Sequence, residues 1–303
     1  ITPLWETPVH RVAKGAPRGH HWRWSILRPM MDDAIAVTST ENAERRVLAL
    51  TNPDGRGPRS TVATINANFQ VLAPGETARP HRHTANALRF VVEGSGGVTT
   101  VDGKECLMEP GDLVITPGGS WHEHAHRGEG TLVWLDVLDV PLHQYLGTQV
   151  FEPGPANNLP PTIADSAFAG AGLAPVLDGA QAAYSPLFRF PRAAWEAALQ
   201  AAPAHGDGAR SIRIINPLTG APAGVDEGLP RLEAVVRIHD RFAGGGDEQF
   251  ADGLVGAVDQ VERGILRPGG RGRGGGLGLG HRHGGEGDAE QTSQGKSTHR
   301  QHS

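Results

Sequence analysis

The sequence predicts an all-β protein, an antiparallel barrel or jelly roll, from three observations. Glycine (42) and proline (23) are abundant while aromatics make up only 5%, which favours turn-rich β structure over helix bundles. Short stretches of alternating apolar and polar residues recur at close spacing from residue 61 to residue 136. No helical period intervenes between them, so hairpin connections rather than crossovers join the strands.

Taken in order, Pro29 opens a short helix with Met30, Met31, Ala34 and Ile35 on one side. Asn52-Pro53-Asp54-Gly55 is a turn signal, after which the pattern changes to period two. Strands are predicted at 61–72, 87–93, 97–101, 112–116 and 131–136. Asp102-Gly103 marks a tight hairpin and Pro110-Gly111 another turn. A Pro/Asn-rich connector lies at 157–161, a helix at 192–202 behind Pro191, and one more strand at 211–216. All six tryptophans fall at or before Trp195, and no aromatic follows Phe250. Half of the 24 residues from 264 to 287 are glycine, mixed with arginine, too apolar-poor to offset the entropy of ordering. The chain therefore divides into an N-terminal arm with a short helix (1–60), a barrel (61–145), a connector (146–185), a further β segment (186–224) and an aberrant Gly/Arg-rich tail expected to be disordered (225–303).

Charge and cysteine content narrow the function. Lys+Arg of 28 against Asp+Glu of 33 gives a net charge of −5, with no footprint for nucleic acid or an anionic membrane. A single cysteine, Cys106, excludes a disulfide framework and a Cys-rich zinc fold, and fits a reducing, cytoplasmic compartment. Cys106 has no His or Lys placed to activate it, and is expected to be a buried small hydrophobe. The longest apolar runs are too short to cross a bilayer as a helix.

Histidine carries the chemical signal. Of fifteen, His81, His83, His122, His124 and His126 lie in the strand-rich block. On an extended backbone His81 and His83 share one face, because side chains alternate. His122 from a later strand supplies a third imidazole, and three neutral nitrogens suit a divalent first-row metal with positions left open. Nitrogen donors alone admit Fe, Mn, Co, Ni or Zn. For an isolated H-x-H, chance recurrence on a β surface is the better reading.

The glycines around them change that balance. Gly75-Glu-Thr-Ala-Arg-Pro-His81-Arg-His83, ending at Gly94, fits G-x5-H-x-H-x10-G. Gly111-Asp-Leu-Val-Ile-Thr-Pro117-Gly-Gly119-Ser-Trp-His122 fits G-x5-P-x-G-x2-H. With these motifs the chain resembles the cupin superfamily, whose fold is a double-stranded β-helix barrel with a metal in its mouth. Two departures stand out: Ala87 occupies the usual glutamate slot, and His126 the usual asparagine slot. The missing carboxylate leaves a three-histidine site that keeps the dication's full charge and favours an anionic chelating substrate.

More of the chain is similar to the gentisate 1,2-dioxygenase family, bicupins that include the salicylate and 1-hydroxy-2-naphthoate enzymes. The similarity rests on Ala43-Glu-Arg-Arg-Val-Leu, Leu50-Thr-Asn-Pro, Gln70-Val-Leu-Ala-Pro-Gly-Glu, His81-Arg-His-Thr-Ala-Asn-Ala-Leu-Arg-Phe, Met108-Glu-Pro-Gly-Asp, Trp121-His-Glu-His and Trp134-Leu-Asp-Val-Leu-Asp-Val-Pro. It continues through Ser185-Pro-Leu-Phe and Asn216-Pro-Leu-Thr-Gly, where the family's second barrel opens. After Ala223 no second-barrel alternation is expected, and His281-Arg-His283 copies the H-x-H form in low-complexity sequence without a following strand.

The resemblance implies Fe(II) on His81, His83 and His122, a small aromatic hydroxy acid and molecular oxygen as substrates, and a homotetramer. It implies ring cleavage between the carboxyl- and hydroxyl-bearing carbons, which for gentisate gives maleylpyruvate. Arg89 matches the family's H-R-H-x5-R pattern and would clamp the substrate carboxylate with its bidentate fork; the alternative is a solvated strand arginine. His124 shares the face of His122 and would meet the carboxylate or relay a proton. Gln70 orients ring hydroxyls or sits on the rim. Of the adjacent Arg45 and Arg46, Arg45 is the better match for an arginine reaching over the barrel mouth. Asp136 orients the site or caps a turn. Trp121 is expected to pack beside the metal, and His126 to lie at the surface. Asn66, Asn68 and Val47 line the pocket in this reading. A metal-dependent isomerase or decarboxylase and a non-catalytic cupin are the readings from other classes.

Overall fold

Alternation decides which residues build the interior. The computed structural model describes residues 18–54, 60–155, 159, 162–170, 172–176, 184–223 and 235–239. Their strands are β1 (Arg46–Ala49), β2 (Asn66–Leu72), β3 (Thr77–His83), β4 (Ala87–Glu93), β5 (Gly97–Val101), β6 (Lys104–Met108), β7 (Leu113–Thr116), β8 (His122–His126), β9 (Leu132–Leu138), β10 (Phe151–Pro153) and β11 (Arg189–Phe190). A six-stranded sheet runs β1-β2-β9-β4-β7-β11 and a five-stranded sheet β10-β3-β8-β5-β6, every pairing antiparallel. The fold is the cupin jelly roll that the motifs imply.

Between the sheets, Leu72, Val91, Val114, Leu132 and Trp134 meet Val101, Cys106 and Met108, with Phe188 closing one end. The outer face of the larger sheet carries Phe69, Val71, Phe90, Leu113, Ile115, Val133 and Leu135, and helices bury it. α1 (Trp24–Val37) contributes Leu27 and Met31 to that layer. After the short α2 (Thr40–Ala43) and α3 (Val140–Leu146), α4 (Arg192–Ala201) adds Trp195 and Leu199. Burial on both faces explains why β7 and β9 are apolar almost throughout. It also fixes register: a one-residue slip would send an outer Phe69 or Val71 into the barrel.

Asp102-Gly103 forms the expected hairpin between β5 and β6, with both residues at positive φ (45° and 82°) as a two-residue turn of this type requires. β1, β3, β6 and β8 fall outside the strand ranges expected, and among the expected elements three boundaries differ most. α1 begins at Trp24, so Pro29 lies inside it; burial of Leu27 and Met31 and the Arg28–Glu93 bonds (2.7 and 2.9 Å) hold the turn before the proline. The strand expected from residue 61 begins at Asn66, because the Thr61 hydroxyl donates to Leu50 O and accepts from Ala67 N (both 2.7 Å), turning the chain. The late strand is β12 (Ala209–Arg213), and Asn216 instead bends the backbone, accepting from Leu218 N through Oδ1 (2.9 Å).

The sheets also recruit strands from outside 61–145: β1 from the arm, β10 from the connector and β11 from the segment after it. Contrary to the expectation of no strand past Ala223, β13 (Val235–His239) pairs with β12 as a separate two-stranded sheet. Val-Val-Arg-Ile-His is rich in β-branched residues, a signal masked by its glycine-rich surroundings. The connector at 157–161 lies largely outside the described residues, and His281 and His283 entirely so.

Candidate metal centre

Register brings the two histidine motifs together. β3 pairs with β8 so that His81 faces His122, after a bulge that follows Ala78. Ring centroids are 4.1 Å apart for His81–His122, 4.8 Å for His83–His122 and 5.5 Å for His81–His83. One nitrogen from each ring lies within 4.8 Å of the others.

The backbone aims all three. His81 Nδ1 lies 3.0 Å from Arg79 O, His83 Nδ1 2.8 Å from Ala85 O, and His122 Nδ1 3.0 Å from Ser120 O. A carbonyl only accepts, so each Nδ1 carries the proton and each Nε2 presents a lone pair. His122 Nε2 is buried without a hydrogen-bond partner. Burial, reinforced by nearby arginines, holds the rings neutral: His81 is pulled down to about 3, His83 to about 4, and His122 well below its usual value. Three neutral imidazoles with inward Nε2 atoms and backbone-fixed tautomers fit a divalent first-row metal.

The opposite wall is polar in a different way. Leu72, Trp134 and Val91 point into the barrel, so Gln70, Asn68 and Asn66 on β2, Asp136 on β9 and Arg89 on β4 share that face. Arg89 is buried, with Nε 3.0 Å from Asp136 Oδ1 and Nη1 donating to Thr116 Oγ1. The Arg89–Asp136 approach is off-line, an ion pair rather than a straight hydrogen bond. Burial lowers the arginine's pKa and raises that of Asp136, and their mutual attraction opposes both shifts. Gln70 Nε2 and Asn66 Oδ1 are buried with no hydrogen-bond partner, while the Trp134 indole N–H approaches the Asp136 carboxylate.

Arg45, in the bend before β1, and Arg46, the first residue of that strand, diverge. Arg46 turns outward to Glu76 (both contacts 2.5 Å) and Thr38 O (2.6 Å). Arg45 reaches in, with Nη1 2.8 Å from His81 Nε2 and its guanidinium 5.1 Å from the Phe151 ring centroid. That His81 lone pair is the one a metal would take, leaving Arg45 to turn toward an anionic ligand.

His124 is buried between His122 (5.9 Å) and Trp134 (5.1 Å). Its Nδ1 lies 2.8 Å from Thr99 Oγ1, which lies 3.1 Å from Met108 Sδ. Where the threonine proton points to sulfur, Thr99 accepts from Nδ1–H and His124 Nε2 is the lone pair.

Three positions complete the comparison with expectation. His126 is buried, not at the surface: it shares the inward face of β8, and its Nε2 lies 2.9 Å from Gly130 O. Cys106 is buried as expected, and burial pushes its thiol up to about 12. Trp121 packs under the Arg82 guanidinium (4.9 Å) and walls Gly154, where a Cβ would lie 2.1 Å from the indole. Sequence reasoning missed Thr99 and Thr116. Their signal was a hydroxyl at an inward position, Thr99 directly opposite His124 and Thr116 opposite Ala87, two residues before Arg89 on β4.

The cupin-domain family profile matches residues 68–138. A gentisate 1,2-dioxygenase of Ralstonia sp. is 39% identical over 232 residues, 74% of this chain and 65% of that one. Gentisate 1,2 dioxygenase 1 of Aquipseudomonas alcaligenes is 34% identical over 253 residues, covering 78% and 70% respectively. Among solved structures, salicylate 1,2-dioxygenase of Pseudoaminobacter salicylatoxidans with gentisate adducts superposes with a TM-score of 0.67 at 32% identity, covering 78% of this chain and 68% of that one. The chain thus spans about two thirds of the length of these relatives, and slightly less of the Ralstonia enzyme.

Proposed function

The chain belongs to the gentisate 1,2-dioxygenase family, and on that premise we propose that it cleaves the ring of an aromatic hydroxy acid with molecular oxygen, gentisate being the preferred substrate. The observation that carries the reading is the convergence of three backbone-aimed imidazoles opposite a buried arginine. An Fe(II) held by His81, His83 and His122 would supply a Lewis acid and an electron relay between ring and oxygen.

The remaining steps belong to side chains. Arg89, its plane fixed by Asp136 and Thr116, presents N–H donors to the substrate carboxylate, and Arg45 adds a second cation from the rim. His124, whose Nδ1 lies beside Thr99 Oγ1, meets the substrate carboxylate or relays the proton of the ring hydroxyl next to it. Trp134 and Leu72 floor the pocket and exclude water. Cleavage falls between the carboxyl- and hydroxyl-bearing carbons and yields maleylpyruvate from gentisate.

The unpartnered Gln70 amide supports gentisate over salicylate, because a second ring hydroxyl would satisfy it and an unsubstituted ring would not. Family resemblance adds a cytoplasmic homo-oligomer, built as a tetramer. Among the described residues no helix is long and apolar enough to cross a membrane. Oxygen uptake by iron-reconstituted protein, measured with gentisate, salicylate and 1-hydroxy-2-naphthoate, tests the reading. Uptake strongest with gentisate is expected. Salicylate outrunning gentisate would refute the substrate preference, and no uptake with any of the three would refute ring cleavage.

A further inference from the structure

Asp139 stands at the N-cap of α3, where an aspartate ordinarily turns its carboxylate onto the helix's first N–H groups. Here the side chain makes no cap bond. Oδ1 accepts from Asn86 N at 2.8 Å, and Oδ2 accepts from Asn86 Nδ2 at 3.1 Å. Asn86 passes the connection on, its Oδ1 accepting from Gly118 N at 3.0 Å. All three hydrogen-bonding elements of Asn86 are thus committed, two to the end of β9 and one to the loop before β8.

Those two loops are the ones that aim the metal-facing rings. Ala85 O, which holds His83 Nδ1, is the neighbour of Asn86. Ser120 O, which holds His122 Nδ1, lies two residues beyond Gly118. The loops meet backbone to backbone: Gly119 N donates to His83 O at 2.7 Å, and a Cβ on Gly118 would lie 2.2 Å from Thr84 O. Besides the Asn86 bridge, the two motifs are joined there by the β3–β8 and β4–β7 pairings and the Gly119 bond, and of these only the bridge ties both loops to the end of β9 through side chains.

We infer that the Asn86–Asp139 pair is a positioning lock that sets the distance between His83 and His122, and so the affinity and geometry of the metal seat. The inference rests on the metal-binding reading above. Neither residue touches metal or substrate; the pair acts through the carbonyls of Ala85 and Ser120. Groups that orient metal ligands typically change affinity by 10–100-fold when removed.

The test uses full-length metal-free protein titrated with Co(II) against a competing chelator. The absorption bands of bound Co(II) report geometry, and a thermal scan of the metal-free form reports the fold. Asn86→Asp sets two carboxylates face to face, and Asp139→Asn sets two amides face to face. Each should weaken Co(II) binding by about tenfold or more and shift the bands even at saturation. The double variant Asn86→Asp/Asp139→Asn exchanges donor and acceptor, restoring the pairing and the Gly118 bond. It should bind within about threefold of wild type. Lower thermal midpoints with unchanged affinity and bands would overturn the lock and leave the metal site standing. Single and double variants equally weakened would overturn it too. Wild type that binds no Co(II) would instead bring down the metal-binding reading and this inference with it.

Discussion

The two walls of the barrel mouth are both buried and both polar, yet they are finished to different degrees. On the five-stranded side His81, His83 and His122 are each fixed by a backbone carbonyl before any ligand arrives. On the six-stranded side, Gln70 Nε2 and Asn66 Oδ1 are buried with nothing to bond. Such atoms cost about 1–3 kcal/mol each while unsatisfied. The difference teaches that the histidine cluster is set by the chain alone, whereas the opposite wall keeps buried amide atoms unpaired, which in the proposed reading a substrate completes.

That contrast can be broken first at the seat. His83→Ala should lose most bound iron, since two imidazoles hold Fe(II) weakly, and metal analysis of the purified variant reads the effect. Undiminished iron would show that the finished wall is not a metal seat. Next comes the arginine between the walls. Arg89→Lys replaces a fork by a point charge, and should keep its iron while KM rises roughly ten- to hundredfold, following ~1.5–3 kcal/mol for a bond to a charged group. Wild-type kinetics would place the carboxylate elsewhere.

The unfinished wall makes a prediction of opposite sign for stability. Gln70→Leu removes a buried unpartnered donor, so the metal-free protein should melt about 2–4 °C higher, while the ratio of gentisate to salicylate turnover falls by about tenfold. A lower melting point would mean that Gln70 is already satisfied. The smallest effect lies on the rim. The Arg46 bonds hold the Glu76 carboxyl below its usual value, so the pair's stabilisation is present above the ordinary carboxylate range and is lost as pH falls through the lowered one. Thermal midpoints from pH 5.5 to 3 should fall more steeply in wild type than in Glu76→Gln, with metal content equal at neutral pH.

What the sequence disclosed follows from where apolar residues alternate. β4 and β5 were legible to the residue because Leu, Phe and Val declare their faces. β3 and β8 fall outside the strands expected from alternation, since histidines occupy the inward positions that apolar residues would mark; only the motifs imply extended backbone there. The same substitution hid His126, whose inward face carries no hydrophobic label. The metal triad was readable because glycine spacing encodes the loops around it. The carbonyls of Arg79, Ala85 and Ser120 were not, because any residue supplies a carbonyl, and the unpaired state of Gln70 depends on neighbours far away in the chain.

The edge of the larger sheet carries a lesson about synthesis. β11 pairs along β7, Asp112 accepts from both Arg189 Nε (2.8 Å) and Arg192 N (2.9 Å), and Trp195 Nε1 donates to Gly111 O (2.9 Å). These bonds span 77 to 84 residues of chain. A barrel emerging from the ribosome through β9 therefore has its metal ligands in hand but leaves β7 as an open edge, ready to pair with a neighbouring nascent chain. Only when residues 189–195 emerge is that edge closed, so a pause in translation just before them would leave the β7 edge of the six-stranded sheet open to pairing.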